Sequence, residues 1–360
     1  MASPYASSTI RLSRGCRSAL STRRYRGIHS MRVVSLVPSA TEILCEIGAT
    51  DLLVGRSHEC DHPPGLQDLP VLTAQRTAYQ PESGVGAAEI DTAVRSQLEG
   101  GGSLYTLDTG LLADLRPDLI LTQDTCAVCS IDARSVRVVA EHMLHAFGRR
   151  PEVLSLNPET LEGVLDDHLR VGDAVKRPEA AREAVASLRE RLFEAESFVN
   201  PYTDGPVVGF MEWTDPVFVA GHWTVEMIER AGGRHPLNET VVRRPEDGSA
   251  LGPQRGARVA GKSISVPSEV FAASRPDRLV IAPCGLTLDQ AEAEARRLAD
   301  QPWFAELRAV RSGAVAVIDG SAMFNRPGPR LVDAFSFLVG WLNDRPERIP
   351  NDFPWRPFPE

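Results

Sequence analysis

One stretch occurs twice, and it constrains the fold more than anything else in the chain. Residues 109–127 read TGLLADLRPDLILTQDTCA, and residues 268–286 read SEVFAASRPDRLVIAPCGL. Each has a short amphipathic helical pattern, then Arg-Pro-Asp, then an apolar run, then a cysteine. Pro117 and Pro276 end the helix and push the preceding arginine out of it. The runs Leu119-Ile120-Leu121 and Leu279-Val280-Ile281 suit a strand covered on both faces of a parallel sheet. Cys126 and Cys284 then fall at the carboxyl ends of those strands, where open α/β sheets bind ligands. The two arginines, Arg116 and Arg275, are 159 residues apart. Such a unit, used twice, predicts two similar Rossmann-like lobes with a cleft between them.

Length supports the same count, since 360 residues suit about two domains. A net charge of −9 argues against nonspecific nucleic-acid binding. No apolar run approaches the roughly 20 residues of a membrane-spanning helix. Six cysteines without framework spacing read as reduced thiols or site residues. The first 30 residues carry six arginines, several serines and no acid. That composition predicts a transit peptide or disordered leader, with the mitochondrion as destination and chloroplast or cytoplasm as alternatives.

Residues 31–157 are expected as the N-terminal lobe, 158–200 as a connecting helix with a break near Pro178, 201–345 as the C-terminal lobe, and 346–360 as a proline-rich surface tail. The first strand, from Arg32, turns at Pro38 into a helix with Ser39 as N-cap and Glu42 at the capping-box position. Residues 73–105 read as an irregular polar insertion, and 234–262 as an exposed loop.

Together SLVPSATEILCEIGATDLLVGRSHECD, LADLRPDLILTQ, EW…GHWTVEMIERAGG and LRAVRSGAVAVIDG…FNRPGPRLVD resemble the class III periplasmic-binding-protein family. This group includes the cobalamin and ferric-siderophore binding proteins of ABC importers. The resemblance covers about residues 31–345. It implies two α/β lobes joined by a long helix, ligand held between them, little hinge motion and no enzyme activity. It implies a small-molecule, corrinoid-like ligand, with cobalamin first, and an ABC-type transporter as partner for uptake or salvage. A monomer is expected.

The site expected from these motifs has several parts. His58, Cys60 and His62 share one loop after a strand, and thiolate and imidazole suit zinc or cobalt. Cys126 and Cys129 form a CxxC, which can be redox-active or half of a zinc site. Glu212, Trp213, His222 and Trp223 would make a flat wall with a polar tip for a large planar ligand, with His222 as an axial donor. Asn325 and Arg326 precede a helix and would meet an anionic group, with Arg326 as the main contact. Ser39 and Thr41 occupy the matching position on the other lobe, and Cys284 the end of the second repeat. The alternative is a metalloprotein or enzyme on the same scaffold, with Cys60, Cys126, Cys129, Cys284, His58 and His222 around a bound zinc or iron, and Cys126, Cys129 and His58 as its first ligands. No GxSxG, Walker A, GxGxxG or HExxH is present.

Overall fold

A computed structural model describes residues 30–76, 84–99, 103–124, 133–243 and 258–358. Both lobes belong to one unit, Met31–Glu360. The N-terminal lobe contains β1 (Val33–Ser35), α1 (Pro38–Glu46), β2 (Leu53–Arg56), β3 (Thr73–Gln75), α2 (Ala87–Glu99), β4 (Tyr105–Leu107), α3 (Thr109–Leu115), β5 (Leu119–Thr122), α4 (Ala133–Phe147) and β6 (Glu152–Ser155). Its sheet is parallel, in the order β2-β1-β5-β6. Val33, Leu119 and Leu121 face α1 and the connector, while Val34 and Ile120 face the opposite core. That period-two split explains why the second repeat half is apolar throughout.

Two helices follow, α5 (Leu161–Ala174) and α6 (Pro178–Glu196), with the break in the connecting segment at Pro178 as expected. Thr160 caps α5 by accepting from the Gly163 amide at 3.0 Å. Pro178 opens α6 at the first turn, where its missing N–H costs nothing.

The C-terminal lobe contains β7 (Val208–Thr214), β8 (Val217–Val219), α7 (His222–Arg230), β9 (Val241–Val242), β10 (Arg258–Val259), β11 (Ile264–Ser265), α8 (Ser268–Ala273), β12 (Arg278–Ile281), α9 (Leu288–Ala299), α10 (Pro302–Ala305), α11 (Arg308–Arg311), β13 (Val315–Ile318), α12 (Leu331–Leu342) and β14 (Trp355–Pro357). Its sheet runs β11-β8-β7-β12-β13-β14, with β7, β12 and β13 parallel and the outer strands antiparallel.

The repeat has a structural reason. Asp118 accepts the Arg32 amide just before β1 at 2.8 Å, and Asp277 accepts the Val207 amide just before β7 at 2.9 Å. Each aspartate also returns its own amide to the same residue's carbonyl, at 2.7 and 2.8 Å. Arg116 and Arg275 both sit in the left-handed region, φ 44° and 49°, and close the preceding helix. The unit therefore ends a helix and pins the first strand of its lobe, β1 or β7, beside the unit's own strand, β5 or β12.

Three expectations change. Residues 73–107 are ordered at both ends as an antiparallel ribbon, β3 with β4, and carry α2 between them. The segment 234–262 contributes the β9–β10 ribbon, and 244–257 lie outside the described residues. The tail is not merely superficial. Its β14 covers β13, and Phe353 stacks on Phe337 at 4.5 Å.

Candidate functional site between the lobes

The loop after β2, Ser57–His62, carries the N-terminal side of the junction between the lobes, where Asp61 meets Arg326. Ser57 is buried, and its hydroxyl takes a hydrogen bond from Thr73 at 3.0 Å. Thr73 also accepts the His58 amide at 3.0 Å and lies 2.6 Å from His58 Nδ1. When Thr73 gives its proton to Ser57 it accepts from Nδ1–H, and in that tautomer the lone pair is on Nε2. Among the described residues no group bonds that nitrogen. Burial, and then the nearby Arg56 charge, lower the His58 pKa and favour the neutral ring. Tyr105 lies beside it, with ring centroids 5.6 Å apart.

Across the gap, Arg326 and Arg330 reach over from the C-terminal lobe. Arg330 clasps buried Glu42 through two hydrogen bonds of 3.0 and 2.5 Å. Arg326 holds both oxygens of Asp61, at 2.5 and 3.1 Å, and approaches Glu42 at 3.7 Å. Burial would raise the Asp61 carboxyl, but the Arg326 hydrogen bond and charge outweigh it and hold it below its usual value. Glu59 goes the other way. Burial raises its pKa, against the opposing pull of Arg326 and of the Tyr105 hydroxyl, which donates to it at 3.3 Å. Gly328 passes directly over α1, where an added Cβ would lie 3.3 Å from a Glu42 oxygen. His62 borders the same junction, its pKa lowered by burial and by Arg330.

Several expected contacts are corrected. Glu42 is an ion-pair partner and not a capping residue. Pro38 opens α1 behind Val37, so Ser39 is inside the helix and buried. Thr41 is buried, 2.8 Å from Ser35 Oγ and 3.0 Å from Cys60 Sγ. Cys60 is itself buried, which pushes its thiol up to about 11 and leaves it protonated. Trp223 is core, 7 % exposed, its indole donating to the Phe324 carbonyl at 2.7 Å. It supplies no wall to the cleft. Glu212 is spent on pinning a loop, accepting from the Gly221 amide at 3.3 Å and from Ser263. Asn325 ties its turn to the Ala282 and Gly320 carbonyls.

His222, half-buried with φ 50°, stacks on Trp223 at 5.5 Å, and burial lowers its pKa. Cys284 is exposed, with its amide bonded to the Glu212 carbonyl at 2.9 Å. Trp213 is half-buried and donates to the Asp215 carbonyl at 3.1 Å and to Ala87 of α2 at 3.3 Å. Cys126 and Cys129 lie outside the described residues. Among the described residues no group of three or more His, Cys, Asp or Glu is arranged to hold a metal ion, so a protein-held zinc or iron cluster finds no support there. Sequence reasoning missed the Thr73–Ser57 support of His58 and the Arg330–Glu42 clasp. The first joins residues 15 apart across a loop, and the second joins residues 288 apart.

Comparison with known proteins agrees with this architecture. A family model described as periplasmic binding protein matches residues 33–322. A vitamin B12-binding protein of Photorhabdus laumondii is 24 % identical over 317 residues, covering 87 % of this chain and 88 % of its own length. A periplasmic heme-binding protein of Pseudomonas aeruginosa superposes with a TM-score of 0.60 at 23 % identity, over 87 % of this chain and 93 % of that one. The periplasmic vitamin B12-binding protein BtuF of Vibrio cholerae gives 0.56 at 19 %, over 88 % and 98 %. These matches overturn the organelle expectation for the leader. The family and its bacterial members point to the periplasm, and neither mitochondrion, chloroplast nor cytoplasm is retained. Among the described residues no helix is long and apolar enough to cross a membrane.

Proposed function

The chain belongs to the periplasmic binding protein family, and from that premise we propose that it carries a metal-centred macrocycle between its lobes and delivers it to an ABC-type importer. The observation that carries this reading is His58. Its Nδ1 lies 2.6 Å from the Thr73 hydroxyl and its neutral form is favoured; in the tautomer that donates Nδ1–H to Thr73, Nε2 is an axial donor for a metal whose equatorial positions a macrocycle already fills. A protein-held metal would need further protein ligands around it. A chelated one needs a single donor. The names of the relatives, vitamin B12-binding and heme-binding, support the same ligand class, a corrinoid or a haem-like ring. Cobalamin is the ligand we favour, since it is what the Photorhabdus and Vibrio relatives are named for. Arg326, facing Asp61, is the group suited to an anionic or amide substituent at the ring edge. The role assigned is carriage, and no chemical step is ascribed to the cleft.

The test is a titration of the full chain with cyanocobalamin, cobinamide and hemin, followed by tryptophan quenching and the visible absorption of the macrocycle. Saturable binding of one of them, with a band shift that disappears in His58→Ala and persists in His222→Ala, is the expected result. Absence of binding to all three removes the reading.

A further inference from the structure

The helix α2 belongs by sequence to the N-terminal lobe but is held by the other one. It lies between β3 and β4, which pair with each other from Thr73–Leu107 to Gln75–Tyr105, so the chain leaves and returns at one place. That place is beside His58, which bonds Thr73 on β3 and lies against Tyr105 on β4. From there α2 packs on β7 of the C-terminal lobe. The contact is specific. The Trp213 indole shares its N–H between the Asp215 carbonyl at 3.1 Å and the Ala87 carbonyl at 3.3 Å, and Arg297 of α9 donates to the Gly84 carbonyl. The guanidinium also lies over Gly86, 3.4 Å from where a Cβ would stand. Thirteen residues of helix are about 20 Å long, enough to bridge a cleft. Of these, only Ala87 and Ile90 are buried. The latch is thus two hydrogen bonds and a small apolar footprint, which is the make-up of an element that can let go while both cores stay intact.

We infer that α2 is a lid, fixed at the β3–β4 ribbon and latched to the C-terminal lobe by Trp213 and Arg297, and that it controls access to the cleft around His58. The inference rests on the cleft being the ligand site. It assigns Trp213 a new task. The indole holds the lid, and does not stack on a ring.

A ligand-free assay decides it. Diethylpyrocarbonate labelling of His58 is followed by peptide mass spectrometry in the full chain, in Arg297→Ala and in Trp213→Phe, with amide hydrogen exchange of 87–99 measured alongside. Both variants are expected to speed exchange in α2 and to raise His58 labelling several-fold, up to about tenfold, the scale of one ordinary hydrogen bond. Exchange in β12 reports whether a variant has lost its fold, in which case the other variant decides. Unchanged exchange in α2 would show that these contacts hold nothing. Faster exchange with unchanged His58 labelling would show a docked helix that gates nothing. Either result overturns the lid. Because no macrocycle is present, failure of the titration above leaves this test intact, and failure here leaves the carrier reading intact.

Discussion

Glu42 shows how a residue's role depends on what reaches it from afar. Its side chain is 1 % exposed and answered by Arg330, itself only 16 % exposed. Two desolvated charges repay their burial only through each other. Glu42→Ala therefore leaves a guanidinium unpaired at the lobe junction, and we expect a loss of about 3–5 kcal/mol in urea denaturation. The double variant Glu42→Leu/Arg330→Met should recover most of it, since a fitted apolar pair removes both desolvation costs. His58 makes a prediction of a different kind. Coordination needs Nε2 without its proton, and the folded pKa is below the ordinary 6.5. Affinity for the bound macrocycle should thus be flat at and above about pH 6.5, then fall roughly tenfold per unit once the pH is below the folded value. Titrations between pH 8 and 5 check the sign. Rising affinity on acidification would exclude His58 as the donor, and His58→Ala should show no such step.

At the scale of elements, the Arg-Pro-Asp unit is the part that the chain states most openly. Asp277 holds the Val207 amide before β7 and pairs with Arg308. Asp277→Ala should cost about 1–3 kcal/mol by leaving that amide unpaired, and Asp118→Ala a similar amount in the other lobe, both read from thermal or urea unfolding. This unit was legible because its signals are local. A proline ends a helix within one residue, and an apolar run of strand length needs no distant partner to be recognised. The two-lobe α/β fold followed from finding it twice. What escaped was set by distance. Ala87, Ile90 and Val94 recur at helical spacing, yet α2 is sheltered mainly by β7, over a hundred residues away, and its own flanks read as loop. The prolines near the terminus suggested a surface tail, but Pro357 lies on an edge strand, where a missing N–H is tolerated. The candidate site divided the same way. The HECDH loop and Arg326 were visible as residue types in a cleft-facing position. Trp223 turns into the core, where its indole donates to the Phe324 carbonyl, while Trp213 stays half-buried with its indole shared between the Asp215 and Ala87 carbonyls. No pattern near either tryptophan encodes that.

For the molecule as a whole, the connector decides how far the lobes can part. The first half of α5 (Leu161, Val164, Leu165) and most of α6 (Val185, Leu188, Leu192) lie in the same core as Phe210 and Phe335 of the C-terminal lobe. Val171, Val175 and Ala181, where α5 gives way to α6, lie in the core of the N-terminal lobe with Ile43 and Leu121. The helices are therefore not a tether between finished domains, because each lobe is completed by one end of the pair. Wide opening would have to pull side chains out of one core or the other, which disfavours a hinge between the lobes. The same argument predicts cooperativity. Calorimetry of the full chain should show one unfolding transition for the two lobes. Leu165→Ala, on the C-terminal side of the connector, should cost about 2–5 kcal/mol and move that single transition to lower temperature. Val171→Ala, on the other side, should move the same transition and not a separate one. If either variant split the trace into two steps, with one lobe unaffected, the cores would be independent. Closure of the cleft would then have to be sought in motion of the lobes themselves.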